Sequence, residues 1–394
     1  MDVNESTVDE VRTSKPSKSN EKALICGAQK LRNFFANLRR NNFEDEDDSV
    51  TLSYDVERKL SSGFSYKLKD EKSDVKKTLW PVTCREYLFL PEYKVRCEEL
   101  EEKFEIINYI AKGSFGKVYK VKRLEDSKIF ALKVFEKSKI ILDDYQQQLK
   151  YEVVIQKAIS HHPFITSSYE RWQNKGFVYQ LSEFISKGEI FETIKIFTNK
   201  LIQFYIAELA IVIDFLHNAG IIYRDLKSEN ILLDENYHIK LTDFGLSKWL
   251  KLGQRTYTIC GTRSSMAPEI FAGEGYSHAV DWYALGVLAS KMMCNHQQNG
   301  RESEDVFKDF DQVDDARCAI DENETKLISE TGSKLSDASN DLLRRMLEKN
   351  PQHRLKSLLA LQRIAFYLNY NFDDVRYMKI SPRKLIEDEN LLKL

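Results

Sequence analysis

The sequence predicts an α+β fold in which a strand-rich segment precedes a helical one. Three observations carry this. β-prone runs crowd together at 104–110, 118–121, 129–135 and 177–184, with one helix-like segment at 143–160 between the last two. Two long segments that are apolar nearly all round, 201–217 and 277–292, then read as buried helices. Between them lies IIYRDLKSENILLDENYHIKLTDFGL, residues 221–246. Its apolar runs Ile231–Leu233 and Ile239–Leu241 flank a turn at Asp234-Glu235-Asn236, which predicts a hairpin.

The bulk numbers narrow the function class. The chain has 394 residues, 42% of them apolar, enough for a sizeable core. Lys and Arg total 59 against 61 Asp and Glu, so no basic footprint points to nucleic acid. Six scattered cysteines without a C-x-x-C argue against a disulfide or zinc framework and for a reducing compartment. His161-His162, before Pro163-Phe164, reads as a loop and not a ligand pair. No apolar run approaches the ~18–20 residues of a membrane span. The acidic start MDVNESTVDE lacks a signal peptide's basic start and apolar core, and Asp2 excludes N-myristoylation. The expectation is a soluble, cytoplasmic monomer.

In order along the chain, residues 1–22 are too polar to fold alone. Residues 23–41 place Leu24, Leu31, Phe34, Phe35 and Leu38 at near-helical spacing with Lys30, Arg32, Arg39 and Arg40 around them. That suits a basic amphipathic helix on a membrane surface or partner. The alternative is a short helix packed on the main domain or fraying free, since Gly27 interrupts the stripe and acidic residues 44–48 follow. Residues 49–103 hold no motif, so 1–103 is set apart as a partly disordered N-terminal extension. The main domain is expected at 104–370, with lobes at 104–184 and 185–370, followed by a short extension at 371–394.

Within that domain the turn Ile110-Ala111-Lys112-Gly113-Ser114-Phe115-Gly116-Lys117-Val118 has glycines that let backbone N–H groups close over phosphates. Such a hairpin alone is usually only a hairpin. Lys133, in the apolar strand Ala131-Leu132-Lys133-Val134, needs anionic partners. Glu152 is the only carboxylate past the start of 143–160 and is assigned to it. The 231–241 hairpin should bring Asp225, Lys227, Asn230 and Asp243 together. Two carboxylates, an amide and an ammonium suit Mg²⁺-nucleotide chemistry.

These motifs in this order resemble those of the eukaryotic protein kinases: Ala131–Val134, the Arg224–Asn230 loop, Asp243-Phe244-Gly245 and Ala267-Pro268-Glu269. Thr256-Tyr257-Thr258-Ile259-Cys260-Gly261-Thr262, with Tyr223 before Arg224, is similar to the AGC group, the relatives of cyclic-AMP-dependent kinase and the ribosomal S6 kinases. The resemblance implies a bilobal fold, a five-stranded antiparallel sheet with one helix followed by a mainly helical lobe. It implies ATP, Mg²⁺, protein Ser/Thr substrates and an upstream activating kinase. By resemblance, Ile110, Gly113, Ser114, Gly116, Val118, Ala131 and Lys133 line the nucleotide, with Glu152 pairing Lys133. A small Ser182 stands beside the adenine, whose edge the backbone of Glu183 and Ile185 reads. Glu189 reaches the ribose and a basic substrate residue. Asn230 and Asp243 hold the metal, Asp225 orients the substrate hydroxyl, and Lys227 neutralises the transferring phosphate. Thr258 is the phosphorylation site, bound by Arg224 and Lys248. Asp281 and the pair Glu269–Arg354 are scaffold.

The chain departs from the pattern at several places. Ala111 replaces the first glycine, Gln156 replaces an apolar residue one turn after Glu152, and Arg263-Ser264-Ser265 replaces P-E-Y. Lys291 stands where basophilic relatives carry an acid, and 297–325 is polar and acidic. Residues 371–382 resemble the start of the AGC C-terminal extension, with no room after them for the hydrophobic motif that docks on the small lobe. The N-terminal residues or a partner are expected to take its place. These departures leave a second reading open: a kinase-fold scaffold without turnover.

Overall fold

The computed structural model describes residues 84–96, 100–113, 116–195, 197–251, 253–297 and 335–388. The expectations for 23–41, for Ser114 and for most of 297–325 lie outside these. The chain opens with α1 (Cys84–Tyr87), β1 (Lys94–Val95) and α2 (Leu100–Lys103). Then come β2 (Phe104–Lys112), β3 (Gly116–Arg123), β4 (Ile129–Glu136), α3 (Lys137–Leu142), α4 (Gln146–Ile159), β5 (Ser168–Gln173) and β6 (Phe177–Glu183). The sheet order is β1-β5-β6-β4-β3-β2.

The expectation of five antiparallel strands and one helix is corrected here. The sheet has six strands, and β1 joins β5 in parallel, Lys94 opposite Trp172 and Val95 opposite Gln173. A two-residue strand leaves no period in the sequence. Residues 137–142 add helix α3, whose Ile140 is buried. The two-residue period of β4 explains its packing. Phe130, Leu132 and Val134 join Phe104, Tyr119, Val121, Trp172, Tyr179 and Leu181 in one core. Phe135, on the opposite face with Ala131 and Lys133, packs with Val178 against Leu149 and Val153 of α4.

The second lobe is built on two helices. α5 (Ile190–Thr193) leads to α6 (Asn199–Asn218), then β7 (Ile221–Ile222), β8 (Ile231–Leu233), β9 (Ile239–Leu241), β10 (Lys248–Trp249), α7 (Pro268–Phe271) and α8 (Ala279–Gln297). After it come α9 (Asp337–Met346), α10 (Leu358–Leu361), α11 (Phe372–Arg376) and α12 (Pro382–Asp388). Thr198 caps α6 by accepting from the Leu201 amide at 3.4 Å, and Gly220, at φ +74°, lets the chain turn away after it. By length and composition α6 is apolar enough to cross a membrane, so the expectation of no such run is corrected. It is the core helix of this lobe, with Phe204, Ile206, Leu209 and Ile213 fully or almost fully buried. Phe372, Val375 and Ile386 of the last two helices join the same core.

Candidate active site

The hairpin gathers its four polar groups as its spacing predicts. β8 pairs β9 antiparallel, with Ile231 opposite Leu241 and Leu233 opposite Ile239. Arg224, just before the loop, and Asp243, just after β9, both sit at positive φ, 70° and 54°, which non-glycine residues hold only when neighbours enforce it. For Arg224 the enforcement comes from α8. The buried Asp281 carboxylate accepts from the Tyr223 amide at 2.9 Å, the Arg224 amide at 2.8 Å and His217 Nε2 at 2.8 Å. Its expected scaffold role is therefore visible in the contacts.

The Asp225 carboxylate is held from three sides. Asn230 Nδ2 donates to it at 2.9 Å, Lys227 Nζ lies 3.0 Å away, and Thr262 Oγ1 donates to it at 2.8 Å. Lys227 also donates to Thr262 Oγ1 at 3.1 Å. Thr262 is the residue sequence reasoning left without a role. It lies in the recognised 256–262 stretch, but only the folded activation segment brings it back to Asp225. The Asn230 nitrogen also donates to the Asp225 carbonyl at 2.9 Å, so the amide oxygen is the atom Asn230 offers a cation.

Across the cleft Lys133 Nζ lies 3.3 Å from Asp243 Oδ1. The Lys133 ammonium and the Gly245 amide hold the Asp243 carboxyl below its ordinary range, against burial. The assigned partner Glu152 is not in that pair: among the described residues no ion pair joins Lys133 to Glu152, and Asp243 has taken the cation. This corrects the expected Lys133–Glu152 contact, because sequence cannot rank two carboxylates that reach the same ammonium from different elements. α4 nevertheless stands against the Asp243 turn. Tyr145 Oη donates to the Gly245 carbonyl at 2.9 Å and Gln148 Nε2 donates to it at 2.8 Å. The Gln156 departure is accommodated too, its Oε1 accepting from Arg171 of β5 at 2.8 Å.

Burial pushes the Glu152 carboxyl up to about 7, opposing the pull of the Lys133 ammonium. The sign follows. Between the ordinary carboxylate value and about 7 the folded chain holds a proton that the unfolded chain has lost, so this group's contribution to stability declines as pH rises through that window. We expect Glu152→Gln to match wild type near pH 4.5 and to exceed it at pH 8 by up to ~3 kcal/mol in urea unfolding. A difference independent of pH would show that the proton is not held there.

The residues expected on the nucleotide side lie on or beside β2, β3, β4 and β6. Gly113 donates its amide to the Gly116 carbonyl at 2.8 Å, closing the turn. At Gly116 an added Cβ would stand 2.6 Å from the Val134 carbonyl, so only glycine allows that approach. Ala111 pairs with Val118 in the ladder and is not among the positive-φ residues, so alanine fits there without strain. Ile110 is exposed and Val118 half-buried at the mouth of the cleft. Ala131 stands opposite Ser182, whose hydroxyl donates to the Ala131 carbonyl at 3.4 Å. Glu183 fixes the β6 end, its Oε1 accepting from the Ser167 amide at 2.6 Å and from Lys240 at 3.3 Å. Ile185 follows it, half-buried. Burial first, then the nearby Glu192 and Glu229 carboxylates, raise the Glu189 carboxyl, so three acids share this edge of the cleft.

These donors fit Mg²⁺ better than a metal held wholly by protein. Among the described residues no group of three or more His, Cys, Asp or Glu converges. One carboxylate and one amide oxygen, both hard ligands, match an ion whose remaining positions are filled by phosphate and water.

The activation segment places Thr258 in the open. Thr258 is exposed, and its carbonyl accepts from Tyr276 Oη at 2.5 Å, while Arg224 Nη1 donates to that same hydroxyl at 3.4 Å. Lys248 Nζ donates to Thr256 Oγ1 at 3.1 Å, and Thr256 is buried. Both expected phosphate-binding cations thus lie along the segment, engaged with neutral oxygens.

Residues 104–365 match the family model described as the protein kinase domain. The chain is 38% identical over 296 residues to a human ribosomal protein S6 kinase-related protein, covering 75% of this chain and 69% of the relative. It is 43% identical over 196 residues to protein kinase 2 of Dictyostelium discoideum, 49% of this chain and 41% of that one. It is 38% identical over 219 residues to the cAMP-dependent protein kinase catalytic subunit of the same organism, 55% of this chain and 33% of the relative. The chain thus spans less than half the length of the last two.

Proposed function

The chain belongs to the protein kinase family, among the serine/threonine kinases of the AGC group, and from that premise we propose a working phosphotransferase switched on at Thr258. The observation that carries this is the Asp225 carboxylate, fixed at 2.8–3.0 Å by Asn230, Lys227 and Thr262. A carboxylate so oriented accepts a hydrogen bond from a substrate hydroxyl and takes its proton. Mg-ATP supplies the transferable phosphoryl group. Lys133, beneath the Gly113–Gly116 turn, would hold its phosphates, and Asp243 with the Asn230 oxygen would hold Mg²⁺. Lys227 places a positive charge beside Asp225, where negative charge builds during transfer. The acidic edge of Glu189, Glu192 and Glu229 favours a basic peptide.

The test is label transfer from ATP, with Mg²⁺, to a basic Ser/Thr peptide, beside an Asp243→Ala control. Wild type that binds nucleotide yet, even with Thr258 phosphorylated, transfers no more label than the control would establish the scaffold reading instead.

The switch has its own expected result. A phosphate on Thr258 adds nearly two negative charges and draws Arg224 and Lys248 from their present neutral acceptors. One such charge-assisted bond contributes about 1.5–3 kcal/mol, so phosphatase treatment or Thr258→Ala lowers kcat/KM roughly 10- to 100-fold. Equal rates for phosphorylated and unphosphorylated chain would remove Thr258 from regulation.

A further inference from the structure

We propose that residues 86–96 form an intramolecular strap whose Phe89 and Tyr93 are positioning residues for the phosphotransfer site, acting through helix α4. No motif marks this segment, although N-terminal residues or a partner are expected to dock on the small lobe. In the fold it is tied to the small lobe by buried apolar contacts and by side-chain hydrogen bonds.

The anchoring is apolar at its centre. Phe89 and Tyr93 are fully buried, one helical turn apart, and the Tyr93 amide donates to the Phe89 carbonyl at 3.0 Å. They pack with Phe135 of β4, Ile140 of α3, Leu149 and Val153 of α4, and Val178 of β6. Leu149 and Val153 are four residues apart on α4, so a single face of that helix rests on the strap. Glu152 precedes Val153 by one residue, so a tilt of α4 on the strap moves its carboxylate. The opposite anchor of the helix is the Gly245 carbonyl, held by Tyr145 and Gln148. α4 is therefore clamped between the strap and the turn that carries Asp243.

Polar ties fix the strap in register. Lys150 of α4 donates to the Leu90 carbonyl at 2.5 Å and pairs with Glu92 at 3.5 Å. Gln173 donates to the Glu86 carbonyl at 3.1 Å and to the Tyr93 carbonyl at 2.6 Å. Gln180 donates to Tyr93 Oη at 2.5 Å. Arg96 pairs with Glu170 at 2.9 Å and lies 5.0 Å from the Trp172 ring centre. The polar ties reach α4, β5 and β6, and the apolar contact with Phe135 reaches β4, so the strap bears on the site chiefly through the helix that carries Glu152.

The inference rests on the phosphotransferase reading, and the experiment separates the two. Full-length wild type, Phe89→Ala and Phe89→Leu are compared by amide exchange over 146–159 and by steady-state kinetics with Mg-ATP and a basic peptide. Phe89→Ala is expected to lose exchange protection in α4 selectively and to raise KM for ATP about tenfold, with Phe89→Leu close to wild type. A synthetic peptide of residues 84–96, added in excess, restores both properties to Phe89→Ala, which a general loss of folding would not allow. The same peptide carrying alanine at the Phe89 position does not. Unchanged α4 protection in Phe89→Ala, or protection lost but not restored by the peptide, overturns the proposal. If Phe89→Ala does not fold, Lys150→Met, which cuts the ties to Leu90 and Glu92 but keeps the apolar contacts, shows the same change at smaller size. Wild-type protection in Lys150→Met then overturns it. Wild type without phosphotransfer defeats the activity reading alone, because the exchange measurement judges the strap independently.

Discussion

Asp225→Asn lowers kcat about 10²- to 10⁴-fold, the range for removing a positioned general base. The substitution keeps the shape and one acceptor oxygen, so Asn230, Lys227 and Thr262 retain a partner and the loop keeps its course. The nucleotide-side groups Lys133 and Asp243 are untouched, so affinity for ATP is expected to stay near wild type while turnover collapses. Initial rates with Mg-ATP and a Ser/Thr peptide, beside nucleotide binding by fluorescence, give both numbers. A kcat equal to wild type would remove Asp225 from the chemistry. A matched loss of binding and turnover would make it a structural residue of the loop.

Glu269→Ala destabilises the chain by about 3–5 kcal/mol, the cost of stranding a buried charge. Arg354 and Glu269 are almost fully buried and joined by two bonds, at 2.6 and 2.8 Å. The guanidinium also donates to the carbonyls of Ala279, Glu348 and Lys349, and stacks 5.0 Å from the Tyr283 ring centre. Removing the carboxylate leaves a cation with only neutral oxygens for company. Adding Arg354→Met recovers part of the loss, since the stranded charge goes but the three carbonyls lose their donor. Urea unfolding with an unchanged m-value reads both effects. Loss below ~1 kcal/mol for Glu269→Ala would mean water reaches the site.

Much of the site was legible because its determinants are close in sequence. Asp225, Lys227 and Asn230 lie within six residues, and β8 and β9 are joined by a short turn, so local pairing alone brings Asp243 to them. The same holds for the Gly113–Gly116 turn and for the helix end at Gly220. Asp281 and the Glu269–Arg354 pair were legible by a different route, the resemblance, which carried long-range contacts that no spacing could supply.

What was missed lies where distant segments compete for one partner. Lys133 has two carboxylates in reach, and Asp243 holds it at 3.3 Å because its backbone is fixed by the hairpin. Thr262 reaches Asp225 only after the activation segment folds back 37 residues later in the chain. The sixth strand is two residues long, and pairing of that length is set entirely by the neighbours it meets.

The order of chemical groups along 221–246, and hence the convergence of Asp225, Lys227 and Asn230 beside Asp243, follows from local spacing, because a hairpin needs no help to bring its own ends together. Where α4 stands against that site follows from tertiary contact alone. Its apolar face is shared among β4, β6 and a segment at 86–96 that carries no motif, and a buried surface of that kind has no signature until its partner is in place.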